Sequence, residues 1–147
     1  MKKRLLKKSR GASAVEFAII LPLLVLLVFG IIELSLALYD QAMITNASRE
    51  GARVGIVYRI PAVTDAEISN VVNNYLGTHL VTFGGKRSPS SNPITGATVI
   101  VTRAGVSPGG DLRVRVGYTY SFLVLPQFTP GLGQGINMAA ETVMRME

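Results

Sequence analysis

The chain has 147 residues, 48% of them hydrophobic, and its 15 Lys and Arg outnumber 9 Asp and Glu for a formal net charge of +6. That length leaves room for one membrane segment and one small domain, and excludes two full domains. The basic excess is local, because Lys2, Lys3, Arg4, Lys7, Lys8 and Arg10 all precede Gly11 and the rest of the chain is balanced, which argues topology and against a folded nucleic-acid-binding face.

After the basic leader, Phe17 to Ile32 carries no charge, and Leu34 to Tyr39 continues the apolar pattern. About 23 mostly apolar residues are enough to cross a ~30 Å hydrocarbon layer as a helix. Six cations before this run, against only Arg49 and Arg53 soon after it, place the N-terminus in the cytoplasm and the remainder outside. Pro22 and Gly30 are tolerated in such a helix where a neighbouring helix satisfies the freed carbonyl, so a helical partner is implied. The same stretch also reads as a secretory signal with a small-x-small site at Ser35-Leu36-Ala37, or as a plain uncut anchor. Against the signal stand a long uncharged core and the apolar Leu38 and Tyr39 beyond the supposed cut. Neither alternative accounts for Gly11 together with an acid, Glu16, set in the greasy start.

The order basic leader, Gly11, Ala12-Ser13-Ala14-Val15, Glu16, Phe17 and long apolar run resembles the processing site of type IV prepilins. In that class a membrane aspartic peptidase cuts after the glycine, here between Gly11 and Ala12, and leaves the acid at the fifth mature position. Phe17 stands where the tight-adherence (Tad/Flp) branch has an aromatic residue. Further on, Ala47-Ser48-Arg49-Glu50-Gly51-Ala52-Arg53 resembles the A-x-R-E-G-A-R signature of TadE-like proteins, the pseudopilins or minor pilins of that system. The two motifs cover roughly the first third of the chain.

Glu16 also has a physical reason. A carboxylate deep in a bilayer costs a few kcal/mol and usually has a partner. A chain beginning at Ala12 creates an amine within about one helical turn, which Glu16 can meet in its own chain or in the next subunit. The alternative is an anion held at the headgroup interface, favoured by the helix N-terminus. Glu33 lies roughly 25 Å further along a helix and reads first as a boundary residue near the opposite interface, with an interhelical contact in a fibre as the alternative.

The sequence stays helix-compatible until Pro61, so one helix is expected from about Ala12 to about Val57, ~65–70 Å long. Ala47, Gly51 and Gly55 recur every four residues with Ala52 beside them, a small-residue stripe that admits either the protein's own sheet or another helix. Arg49 and Arg53, at i and i+4, share a face, whereas the sequence neighbours Arg49 and Glu50 cannot face each other directly. They call either for an acidic complement, on a partner or at Glu141, or for solvent.

Thr64-Asp65-Ala66-Glu67 is a capping box, and Ile68, Val71, Val72, Tyr75 and Leu76 follow at helical spacing with Gly77 as the expected stop. Residues 84–93 (GGKRSPSSNP) read as a loop. Ala97 to Arg103 is β-rich, residues 112–122 alternate as a half-buried antiparallel strand, SPGGD at 107–111 is the turn between them, and Ile136 to Met146 is a third strand after the loop LPQFTPGLGQG. The expected fold is α+β and pilin-like: a long N-terminal transmembrane helix, a short second helix and a small three-stranded antiparallel sheet that uses the long helix as its second layer.

Catalysis finds little support. His79 is the lone histidine and Cys is absent, so no disulfide, thiolate metal site or usual acid–base constellation is available, and no cofactor is expected. Gly84-Gly85-Lys86 fails as a phosphate loop, since the earlier glycine position is Leu80 and Arg87 follows the lysine. The expected organisation is a leader over 1–11, a transmembrane helix over 12–40, its periplasmic extension over 41–57 and a periplasmic domain over 58–147. The resemblance implies a single-pass inner-membrane protein that acts in initiating, capping or anchoring a Tad/Flp pilus. Its partners would be the prepilin peptidase, other minor pilins, the major Flp pilin, the inner-membrane platform and membrane lipid, with no nucleic acid. A membrane-anchored periplasmic binding or adhesion module is the alternative.

Overall fold

A computed structural model describes residues 5–81, 97–105, 109–128, 131 and 135–146. In chain order the elements are α1 (Leu5–Gly55), α2 (Asp65–His79), β1 (Ala97–Arg103), β2 (Asp111–Tyr120), α3 (Leu125–Phe128) and β3 (Ile136–Arg145). The three strands form one antiparallel sheet in the order β1-β2-β3. The expected α+β architecture is thus the observed one. The loop expected at 84–93, which holds the failed phosphate-loop residues, lies outside the described residues, as do parts of the 107–111 turn and of the loop before β3.

α1 is unbroken for 51 residues, ~76 Å at ~1.5 Å per residue. It has two halves of different character. From Gly11 to Ile32 nearly every residue is exposed. From Glu33 onward one seam is buried, through Glu33, Ala37, Asp40, Ile44, Ala47, Ser48, Gly51, Ala52 and Gly55. Steps of three and four keep these positions on one face of a 3.6-residue helix.

β2 supplies the matching surface. Its alternation sends Leu112, Val114, Val116, Tyr118 and Tyr120 inward while Arg113 and Arg115 face out, as a strand's two-residue period requires. The strand runs antiparallel to α1: Leu112 lies against Gly55, Val114 near Gly51, and the Tyr120 hydroxyl donates to the Glu33 carbonyl oxygen at 3.3 Å. Burial raises the Tyr120 hydroxyl above its ordinary pKa of 10.0, and the charges of Glu33 and Asp40 add to the effect. Tyr120 also meets Phe122 edge to face, with ring centroids 5.2 Å apart.

α2 opens with the expected capping box, Thr64 accepting from the Glu67 N–H and the Glu67 carboxylate from the Thr64 N–H at 2.7 Å. Ile68, Val72 and Leu76 are buried, and Val71 and Tyr75 are half-buried. The helix does not stop at Gly77 as expected. It continues to His79, where the imidazole bonds the Tyr75 carbonyl at 2.9 Å and stacks on the Tyr75 ring, while the buried Leu80 donates its N–H to Leu76 at 2.9 Å. Burial of Leu80 draws the last turn onto the core, which outweighs the roughly 1 kcal/mol that a helical glycine costs. At the entrance to β3, Gly135 has φ +74, and a β-carbon there would overlap the Tyr120 carbonyl, so the turn needs glycine.

Candidate functional site

Gly11, Ala12, Glu16 and Phe17 all lie on α1 and are exposed. Ala12 and Glu16, four residues apart, share one face of that helix. A β-carbon placed on Gly11 would meet nothing within 4 Å. Glycine inside a helix costs about 0.8–1 kcal/mol relative to alanine, and at this position the folded chain gains no packing in return. No contact among the described residues calls for glycine at 11.

The later motif divides by face. Ala47 and Ala52 are fully buried, and Gly51 and Gly55 are buried with them. A β-carbon at Gly51 would overlap Val72 Cγ2 and come within 3.4 Å of Ile68 and Val114, while at Gly55 it would overlap Leu112 and lie 2.6 Å from Ile68 Cδ1. The small-residue stripe is thus occupied by the chain's own α2 and β2, whose side chains reach the helix backbone. Arg49 and Arg53 point to solvent on the other side. Arg53 stands 3.9 Å from Glu50 one turn back, an exposed pair that contributes little. Glu141 is not their complement, because its carboxylate pairs with Arg113 across the sheet at 3.3 Å, where the strand register sets it beside the β2 arginines.

Two acids on the buried seam hold backbone. The Glu33 carboxylate accepts the N–H groups of Leu123, Val124 and Leu125 at 2.8, 2.5 and 3.1 Å. Asp40 Oδ1 accepts the Val81 N–H at 2.9 Å just beyond α2. Polar neighbours on α1 extend the pattern: Gln41 donates to the Ala139 carbonyl at 3.2 Å, and the Ser48 and Thr142 hydroxyls bond at 2.7 Å. Within the fold Glu33 is the anchor of the chain's own C-terminal half, a role that neither a boundary position nor an interhelical contact had suggested. Reading the residues singly hid this. Its signal was the seven-residue step from Glu33 to Asp40, which continues the seam through Ala47.

Away from that face, Arg103 donates to Asp65 Oδ1 at 2.6 Å and to the Val63 carbonyl at 2.7 Å, tying β1 to the start of α2. Arg59 pairs with Glu67, and this contact together with the Thr64 bonds holds the Glu67 carboxyl down at about 2. Among the described residues no group of three His, Asp or Glu is arranged to hold a metal ion.

These features define an α+β protein hung on a single N-terminal helix that is both its scaffold and, by length and composition, able to cross a membrane. Residues 11–53, most of the long helix, match the family model of TadE-like proteins, and this likeness supports a TadE-like protein of Tad pilus systems. No curated protein and no solved structure matches the chain.

Proposed function

We propose that this protein is a minor pilin, or pseudopilin, that is cut after Gly11 by a prepilin peptidase and acts in initiating, capping or anchoring a Tad/Flp adhesive pilus. The observation that carries the reading is the contrast between glycines. Gly51 and Gly55 are demanded by packing, whereas Gly11 is demanded by nothing in the fold and precedes an acid on an unpacked helix. A peptidase that requires glycine at its cleavage position supplies the missing reason.

The TadE-like match over residues 11–53 supports the same system. Cleavage removes six cations and leaves nine basic residues against nine acidic ones. It also leaves an amine at Ala12, one helical turn from Glu16, so that an amine and a carboxylate can pair within a chain or between stacked helices, where low dielectric strengthens the attraction. The cytoplasmic placement of the basic end follows from the positive-inside rule. The prepilin peptidase, related minor pilins, the major pilin and the membrane platform are the partners this role requires.

Intact-mass measurement of the membrane-bound protein, in cells with and without the peptidase, tests the reading. A start at Ala12 only when the peptidase is present supports it. A start at Met1 in cells that contain the peptidase, or at Leu38, overturns it.

A further inference from the structure

We infer that the segment Ser121–Pro126 is a second lipid-contacting element, which settles into the headgroup–acyl boundary of the membrane beside α1. The inference rests on the reading of α1 as a membrane span.

Depth is the first argument. Leu125 Cδ2 lies 3.7 Å from where a β-carbon of Gly30 would sit, and Gly30 belongs to the uncharged run Phe17–Ile32. The segment therefore overlaps in height with residues of the span itself. Glu33 fixes it there, because three consecutive N–H groups end on one buried carboxylate. The same bonds cover the only charge on α1 between Phe17 and Tyr39. A charge-assisted set of this kind satisfies both the acid and the backbone at a level where water is scarce.

Charge distribution is the second argument. From Val116 to Ala140 the sequence holds no Asp, Glu, Lys or Arg. Strand register places this stretch at one end of the sheet, where Tyr118 and Tyr120 face Met138 and Ile136. The opposite end carries Asp111 beside Arg145 and the Arg103–Asp65 pair. β2 approaches Glu33 with its uncharged end, so among the described residues of β2 and β3 the charge-free end is the one turned toward the span. Leu123 is 59% exposed there, and Leu34 and Leu38 of α1 are exposed close by along the helix. Apolar side chains exposed at that height, continuous with an apolar helix, fit a lipid surface.

The chain has no cysteine, so single cysteines report cleanly. Full-length protein is reconstituted in vesicles of phosphatidylethanolamine and phosphatidylglycerol, with a nitroxide at Leu123→Cys, at Leu24→Cys in the span, or at Ala66→Cys at the far end of the domain. Collision with oxygen, which concentrates in lipid, is compared with collision with a water-soluble nickel chelate. The expected result is an oxygen-to-nickel accessibility ratio at 123 several-fold above that at 66 and shifted toward that at 24. A ratio at 123 equal to that at 66, with 24 in lipid, overturns the inference and leaves the span intact. Aqueous values at all three positions overturn both.

Discussion

The Glu33 carboxylate accepts the backbone N–H of Leu123 at 2.8 Å across ninety residues of sequence, and its two further bonds to Val124 and Leu125 gather three backbone donors from beyond β2 onto one side chain of α1. Removing the carboxylate leaves three backbone donors without their acceptor, and a buried donor left unsatisfied costs about 1–3 kcal/mol. Glu33→Ala should lower the unfolding temperature of detergent-solubilised protein and open residues 121–128 to proteases. Glu33→Gln, which keeps an acceptor oxygen, should lose less.

Gly51 and Gly11 are both helical glycines with opposite demands on them. Gly51→Leu would drive a side chain into Val72 and Val114, and overpacking of that kind costs about 1–3 kcal/mol. Gly11→Ala meets nothing and should leave thermal stability unchanged or slightly raised, while abolishing the appearance of a chain starting at Ala12. Thermal melts and intact mass on both variants separate the packing glycine from the processing glycine.

Glu16 is exposed on the unpacked half of α1 and takes no part in the folded domain's core. Glu16→Ala should therefore keep membrane fractionation and the domain's melting temperature, and should sharply reduce recovery of the protein and of pili in the sheared surface fraction. Normal piliation with this variant as the sole copy would remove the pairing role assigned to the carboxylate.

Glu67 should give a local pH signature. Its pKa falls from 4.5 to about 2 through Arg59 and the Thr64 bonds, so the folded state binds the proton less readily than the unfolded state. The stabilisation is complete above the unfolded value and is lost as pH falls from about 4.5 toward about 2. In Glu67→Gln the melting temperature should lose this part of its slope over that window. The difference from the parent should shrink at higher salt, because the pair is exposed.

Much of the architecture was legible in one dimension because it rests on local patterns. The capping box at Thr64–Glu67, the alternation of Leu112 through Tyr120 and the uncharged run before Ile32 each reflect a period or a cap that a few neighbouring residues express. The end of α2 was not legible. Gly77 is a good local stop, yet Leu80 is buried by residues far away in sequence, and that burial extends the helix. Arg49 and Arg53 could be placed on one face but not matched, since the strand register that gives Glu141 to Arg113 is a long-range fact.

By itself the sequence determined that there is one apolar helix long enough to cross a membrane, a basic end before it, a glycine and an acid at its start, and an α+β domain after it, because composition, charge order and periodicity are properties of neighbours along the chain. Only the tertiary structure decided where the helix stops being free and becomes scaffold. That point is Glu33, an acid whose sequence neighbours mark it for an interface with water. It is buried instead, since three backbone N–H groups from the far end of the chain converge on it and replace the solvent it would otherwise need.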